Sequence, residues 1–146
     1  MSKRISVADL EILGACATQV EGFRRAFPKA DNGVTVTVEN VLKALEAGLD
    51  LRWLAMAVFT TPDYVEYRHI KDAACVEYMR VVETAWDAYY DVSNSILAMG
   101  DPWRPRAAKR RNRALEASKA EYNRAKAAAW VAAFEASVCV NDNGGE

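Results

Sequence analysis

The chain has 146 residues, of which 51% are hydrophobic and 27% charged, and carries a formal charge of −1. That is the composition of one ordinary globular domain, or of a small domain with an appendage. With 10% aromatics and only 7 Gly and 4 Pro, it excludes a disordered acidic tail, a collagen-like repeat and a Gly/Pro-rich linker.

The N-terminus carries Lys3 and Arg4, but Asp9 and Glu11 follow where a secretory signal would have its apolar region. Ser6 with Asp9 forms a capping-box pattern, and Gly14 closes that helix. Thr18 with Glu21 is a second box, opening a helix from Gln19 to Ala26 that Pro28 ends. Asp31-Asn32-Gly33 is a turn, and Val34-Thr35-Val36 is a short extended piece. Thr37 caps a helix to Ala47 with Gly48 just past its end, and Asp50 caps another from Leu51 to Phe59.

After Thr60 the texture changes. Thr61-Pro62-Asp63 reads as a cap, a first-turn proline and an N-terminal carboxylate, and no Gly or Pro follows until Gly100. A helix over Pro62 to Met99 is about 57 Å long at 1.5 Å per residue, more than a small core spans. Gly100-Asp101-Pro102 stops it and restarts a second helix that runs to about Val138. The longest apolar runs, Trp53 to Phe59 and Ala127 to Phe134, are too short to cross a bilayer.

The two long segments are related at an offset of 44 residues. Ala73, Glu77, Tyr78, Arg80, Ala85, Trp86, Ala88 and Ser93 recur as Ala117, Glu121, Tyr122, Arg124, Ala129, Trp130, Ala132 and Ser137, and Tyr90 returns as Phe134. Within the first segment an 11-residue period aligns Tyr67, Tyr78 and Tyr89 on one face. The facing stripe of the second is mostly alanine, including Ala114, Ala125, Ala129 and Ala133, which permits close axial approach. The short connection between the two dictates an antiparallel hairpin. Thr61 to Gly100 has three basic and seven acidic residues, and Asp101 to Lys126 has nine basic and three acidic. Folding back is expected to bring Asp87 and Asp91 toward Arg106 and Arg110. The expected organisation is all-α: a compact module of short helices over residues 1–60, packed on a coiled-coil-like hairpin over 61–140, with a flexible tail over 141–146.

No constellation of residues carries catalytic chemistry. Glu66 and His69 have the E-x-x-H spacing of a di-iron ligand pair, but His69 is the only histidine and a second pair is missing. Cys16, Cys75 and Cys139 are widely spaced and odd in number, so they read as small core residues and not as a disulfide framework or zinc site. The seven glycines form no phosphate-cradling loop. No enzyme, cofactor or metal is expected.

Two surfaces stand out as partner sites. A second apolar stripe on the first long helix, Cys75, Met79, Val82, Trp86, Tyr90 and Leu97, lies beyond the hairpin seam and asks for a cover. At the far end of the hairpin, Trp103, Arg104, Arg106, Lys109, Arg110, Arg111 and Arg113 form a basic, indole-bearing patch suited to phosphates or an acidic protein. The expected contact set is Met79, Trp86, Tyr90, Leu97, Trp103, Arg104, Arg106, Arg110 and Arg113.

The run Leu10-Glu11-Ile12-Leu13-Gly14-Ala15-Cys16, then Gln19-Val20-Glu21-Gly22-Phe23-Arg24-Arg25-Ala26-Phe27-Pro28, Ala47-Gly48-Leu49-Asp50 and Trp53-Leu54-Ala55, resembles a module common in small phage and prophage proteins. Glu77-Tyr78-Met79-Arg80 and Glu121-Tyr122-Asn123-Arg124 fit the A-x-x-E-Y-x-R helical repeats that follow it there. The resemblance implies a phage origin and brings no active site with it. The expected function is that of a non-enzymatic interaction protein that binds and inhibits a host protein complex in the bacterial cytoplasm, as anti-CRISPR and other anti-defence inhibitors do. The alternative is a nucleic-acid-binding or virion-assembly factor using the basic tip. A third possibility is a homo-oligomer whose hairpin pairs with itself.

Overall fold

The computed structural model describes residues 4–30, 32–96 and 104–142. Its elements are β1 (Arg4–Ile5), α1 (Val7–Ile12), α2 (Ala17–Ala26), β2 (Val34–Thr35), α3 (Val38–Glu46), α4 (Leu51–Val58), α5 (Thr61–Ile96) and α6 (Arg104–Asp142). The all-α architecture holds: α5 and α6 pack antiparallel as a long hairpin, and the short helices dock against its base.

The local signals act as their chemistry requires. Ser6 caps α1 through the Asp9 N–H while the Asp9 carboxylate accepts from the Ser6 N–H at 2.8 Å, a complete capping box. Thr37 caps α3. Asp50 caps α4 by accepting from the Arg52 and Trp53 N–H groups. Helix α3 ends in a Schellman turn: the Leu49 N–H reaches the Ala44 carbonyl, and Gly48 takes φ +79°, which only glycine adopts without strain.

Three local expectations need correction. Helix α2 begins at Ala17 after Cys16 and has no side-chain cap, so Thr18 and Glu21 lie inside its first turns. The cap of α5 is Thr60 and not Thr61, because Thr60 exchanges hydrogen bonds with Asp63 and its carbonyl accepts the Tyr64 N–H. The extended piece at Val34 does not stand alone. It pairs antiparallel with β1, Arg4 opposite Thr35 and Ile5 opposite Val34. The cysteines also depart from the core reading, since Cys16 and Cys139 are exposed and Cys75 is half-buried. Cys16 sits at the N-cap of α2, Cys75 within α5 and Cys139 in the last turns of α6.

The core sits where the module meets the hairpin. Trp130 and Phe134 of α6 stack at 5.5 Å and are 1% exposed. The Trp130 indole N–H donates to the Leu51 carbonyl at 3.1 Å, tying the first turn of α4 to α6. Phe59 closes over the indole at 5.0 Å and meets Tyr67 of α5 edge-on. A cavity of about 50 Å³ lies under Trp130 among Phe23, Val41, Leu51 and Trp53, room for a water or two and no more. Above the first turn of α5, the Ser137 hydroxyl donates to the Asp63 carboxylate at 2.7 Å and accepts the Thr60 N–H at 3.2 Å. This half-buried clasp joins the start of one long helix to the end of the other.

Candidate interaction surface

Beyond the base, the hairpin is a two-layer seam. The 11-residue period is realised there: Tyr67 is buried, Tyr78 and Tyr89 are half-buried, and the small residues Ser118, Ala129 and Ala133 are buried opposite them. Burial pushes the Tyr67 hydroxyl up to about 12 and raises Tyr122 as well. The Tyr67 hydroxyl has no hydrogen-bond partner among the described residues. Lys126 is pushed below the usual lysine range, first by burial and then by the Lys71 charge across the seam.

Tyr78 and Tyr122 are repeat mates and also ring neighbours, stacked at 5.4 Å. Antiparallel pairing through that point gives the hairpin an approximate two-fold axis. Trp86 lies eight residues beyond Tyr78, as Trp130 does beyond Tyr122, so the two indoles sit about 12 Å from the axis in opposite directions. Their neighbours repeat too: Trp86 stacks on Tyr90 at 5.6 Å, as Trp130 stacks on Phe134. The N-terminal module covers only the Trp130 copy. Around the Trp86 copy, Met79 is 47% exposed, Tyr90 53% and Val76 71%, and Trp86 is half-buried.

What half-buries Trp86 is a residue outside the expected contact set. The Arg111 guanidinium lies 4.3 Å from the centre of the Trp86 ring and 4.4 Å from that of Tyr89, and it also donates twice to the Asn112 side chain. Its spacing from the seam residues was legible, but its aromatic partners lie on the other helix and carry no sequence mark.

The structure brings Met79, Trp86 and Tyr90 together on α5 and places exposed Arg106, Arg110 and Arg113 at helical spacing on α6, with Arg104 exposed two residues before Arg106. Leu97 and Trp103 lie outside the described residues, as do the Gly100-Asp101-Pro102 stop and the last residues of the tail. Asp87 and Asp91 form no ion pair with Arg110. Lys109, Arg110 and Arg113 are in no ion pair among the described residues. The acids and the bases lie on outward edges of their own helices, because the seam between them is filled by Tyr89, Arg111 and alanines.

A groove of about 400 Å³ runs along the same half of the hairpin. Its α5 wall is Arg80, Val81, Thr84, Ala85, Ala88, Tyr89 and Val92, and its α6 wall is Ala107, Arg110, Arg111 and Ala114. Arg80 is neutralised by a bidentate bond to Glu77, which holds that carboxyl below its ordinary range. Arg110 and Arg111 have no carboxylate partner among the described residues.

Fold and surface together define an all-α hairpin protein with a docked N-terminal module and an uncovered distal half. No protein family, curated protein or solved structure matches the chain. Among the described residues there is no cluster of three or more metal-ligating side chains and no helix long and apolar enough to cross a membrane.

Proposed function

We propose that the protein is a non-enzymatic interaction protein that binds and inhibits a host protein complex, in the manner of an anti-CRISPR or other anti-defence inhibitor. The observation that carries this reading is the unequal fate of the two repeat copies. The Trp130–Phe134 stripe is closed by the chain's own α4, and the equivalent Trp86–Tyr90 stripe, with Met79 beside it, is left to solvent. Aromatic side chains clustered with a neighbouring arginine are the composition of interface hot spots. The phage setting and the bacterial cytoplasm rest on the resemblance of the N-terminal run. The contact surface is Met79, Trp86 and Tyr90 with Arg104, Arg106, Arg110 and Arg113, and Leu97 and Trp103 extend it beyond the described residues.

The test is affinity capture from nuclease-treated host lysate with the tagged wild type and with a Trp86→Ala/Tyr90→Ala variant. One stoichiometric host complex, retained by the wild type and lost by the variant, is expected. Recovery of nothing, or retention indifferent to the variant, overturns the reading. A solution mass measured alongside identifies a self-pairing hairpin.

A second reading, a nucleic-acid-binding or virion-assembly factor, draws on the six cations between Arg104 and Arg113. Salt separates the two. Phosphate contacts release counterions and weaken steeply between about 50 and 200 mM salt, whereas a complex anchored on Trp86 and Tyr90 changes little.

A further inference from the structure

We infer that the distal groove between α5 and α6 is a docking site for an acidic amphipathic helix of a partner protein. The inference rests on the reading that the distal half of the hairpin meets a protein partner, and it adds the chemistry of that partner.

The shape argument comes from the walls. Both are helices, and four alanines lie along the groove between them, Ala85 and Ala88 on α5 and Ala107 and Ala114 on α6. At those four positions a third helix approaches closely enough to complete a three-helix layer, with its own apolar anchors against Val81, Tyr89 and Val92. From Arg80 to Val92 the α5 wall is about 18 Å long, three turns, so the segment that fits is a helix of about a dozen residues. No such helix is present in this chain's own module, which docks at the opposite end of the hairpin against Trp130 and Phe134.

The charge argument selects the occupant. Arg104 to Arg113 holds six cations and no acid. Among the described residues Arg110 lines the groove without a carboxylate partner; Arg111 beside it has none either and lies over the Trp86 and Tyr89 rings, and the one further cation there, Arg80, is already satisfied by Glu77. The unpaired cations lie on the α6 wall, while Asp87 and Asp91 fall at helical spacing beside Arg80, Thr84 and Ala88 on the α5 rim. A helix whose acidic flank turns to α6 is therefore complementary to the groove. Charge of this kind steers encounter and fixes orientation, while the apolar floor holds the helix.

The probe is a fluorescein-labelled helical peptide of roughly 14 residues, leucine at helix-face spacing and glutamate along one flank, titrated with the whole protein and read by anisotropy. Three comparison probes accompany it: the same peptide with lysine for glutamate, the same with serine for leucine, and a labelled DNA duplex of about 14 base pairs. The acidic peptide binds, the lysine and serine peptides bind at least about tenfold more weakly, and Arg110→Glu or Ala88→Glu weakens the acidic peptide by about tenfold or more. Lys109→Glu has the same change in net charge one residue from Arg110 but does not line the groove, and it is expected to stay within about threefold of wild type. Arg110→Lys keeps most of the affinity, and circular dichroism confirms that each variant is folded.

Equal binding of the acidic and lysine peptides, or equal loss with Lys109→Glu and Arg110→Glu, overturns the groove assignment. DNA that binds while the acidic peptide does not overturns it in favour of a phosphate surface. Peptide binding at the groove with no host complex captured sustains the docking site and sinks the inhibitor reading. A captured host complex whose retention ignores both Arg110→Glu and Ala88→Glu does the reverse.

Discussion

Replacing each repeat tryptophan by alanine tests whether one copy is core and the other is surface. Trp130 is 1% exposed, lies between Phe59 and Phe134, and donates a second hydrogen bond to the Leu51 carbonyl. Truncating a buried Trp costs about 3–5 kcal/mol, and losing that buried hydrogen bond adds about 1 kcal/mol. Trp86 is half-buried, and its truncation forfeits the Arg111 contact, worth about 0.5–1 kcal/mol, with part of the Tyr90 stack. The expected costs are about 4–6 kcal/mol for Trp130→Ala and about 1–2 kcal/mol for Trp86→Ala. Urea unfolding followed by far-UV circular dichroism measures both, with the slope checked for constancy. If Trp130→Ala fails to fold, as a domain of ordinary stability does under such a loss, Trp130→Phe replaces it. That variant keeps most of the ring but loses the N–H, at a cost of about 1–2 kcal/mol. Equal costs for the two positions, or a larger one at Trp86, would refute the claim that only the Trp130 copy is closed.

Tyr67→Phe is expected to raise stability by about 1 kcal/mol, because the buried hydroxyl it removes has no partner among the described residues. The same hydroxyl sets an alkaline limit. Its value is about 12 in the folded chain against 10.0 unfolded, so between those pH values the unfolded state has released the proton that the folded state retains, and stability falls as pH rises through the window. Tyr67→Phe removes that part of the fall, which a urea series from pH 9 to 12 reads directly. Ser137→Ala deprives the Asp63 carboxylate and the Thr60 N–H of a buried partner at once and is expected to cost about 2 kcal/mol in the same assay. Gly33→Ala is expected to cost about 2 kcal/mol or more. Gly33 has φ +82°, and an added Cβ lands 3.1 Å from the Ile5 carbonyl oxygen, against the β1–β2 pair. An unchanged midpoint in either variant contradicts the account given for it.

Much of the fold was legible because its signals are local. Capping residues act within one turn, so Ser6, Thr37 and Asp50 announce their helices without knowledge of the rest. The 44-residue offset and the Tyr67–Tyr78–Tyr89 period likewise fix which faces meet in an antiparallel pair. What escaped depends on contacts distant in sequence. The Arg4–Thr35 pairing joins two-residue strands too short to show alternation. The Thr18–Glu21 pattern is a false box, because the chain entering α2 turns two residues earlier at Cys16. At the candidate surface, Met79, Trp86 and Tyr90 followed from helical spacing, and Arg111 did not. Nothing in a basic run marks the one arginine that will lie over two rings of another helix instead of facing water.

The two copies of the repeat also differ in the residues that surround the shared tryptophan, and the difference bears on what the open stripe is for. Beside Trp130, the positions three before and one after are Ala127 and Val131, the first fully buried and the second packed against the core. Their mates beside Trp86 are Glu83 and Asp87, both exposed. A stripe that had merely lost an internal cover would keep small apolar neighbours, as Trp130 does, and a face meant only for water would have no use for Met79, Trp86 and Tyr90. Aromatic residues at the centre with charged residues at the edge are the pattern of a surface that must stay soluble alone and close on a partner. Glu83 makes that face unfit for an acidic helix, so on the proposed reading such a helix goes to the groove beside Arg110 and the stripe is left for a neutral or basic part of the proposed partner. Glu83→Ala would then weaken capture of a host complex without touching binding of the acidic peptide, whereas Arg110→Glu would weaken both. A pattern in which the two variants act alike on both ligands would mean that net charge, and not the division of the hairpin into two faces, governs what it binds.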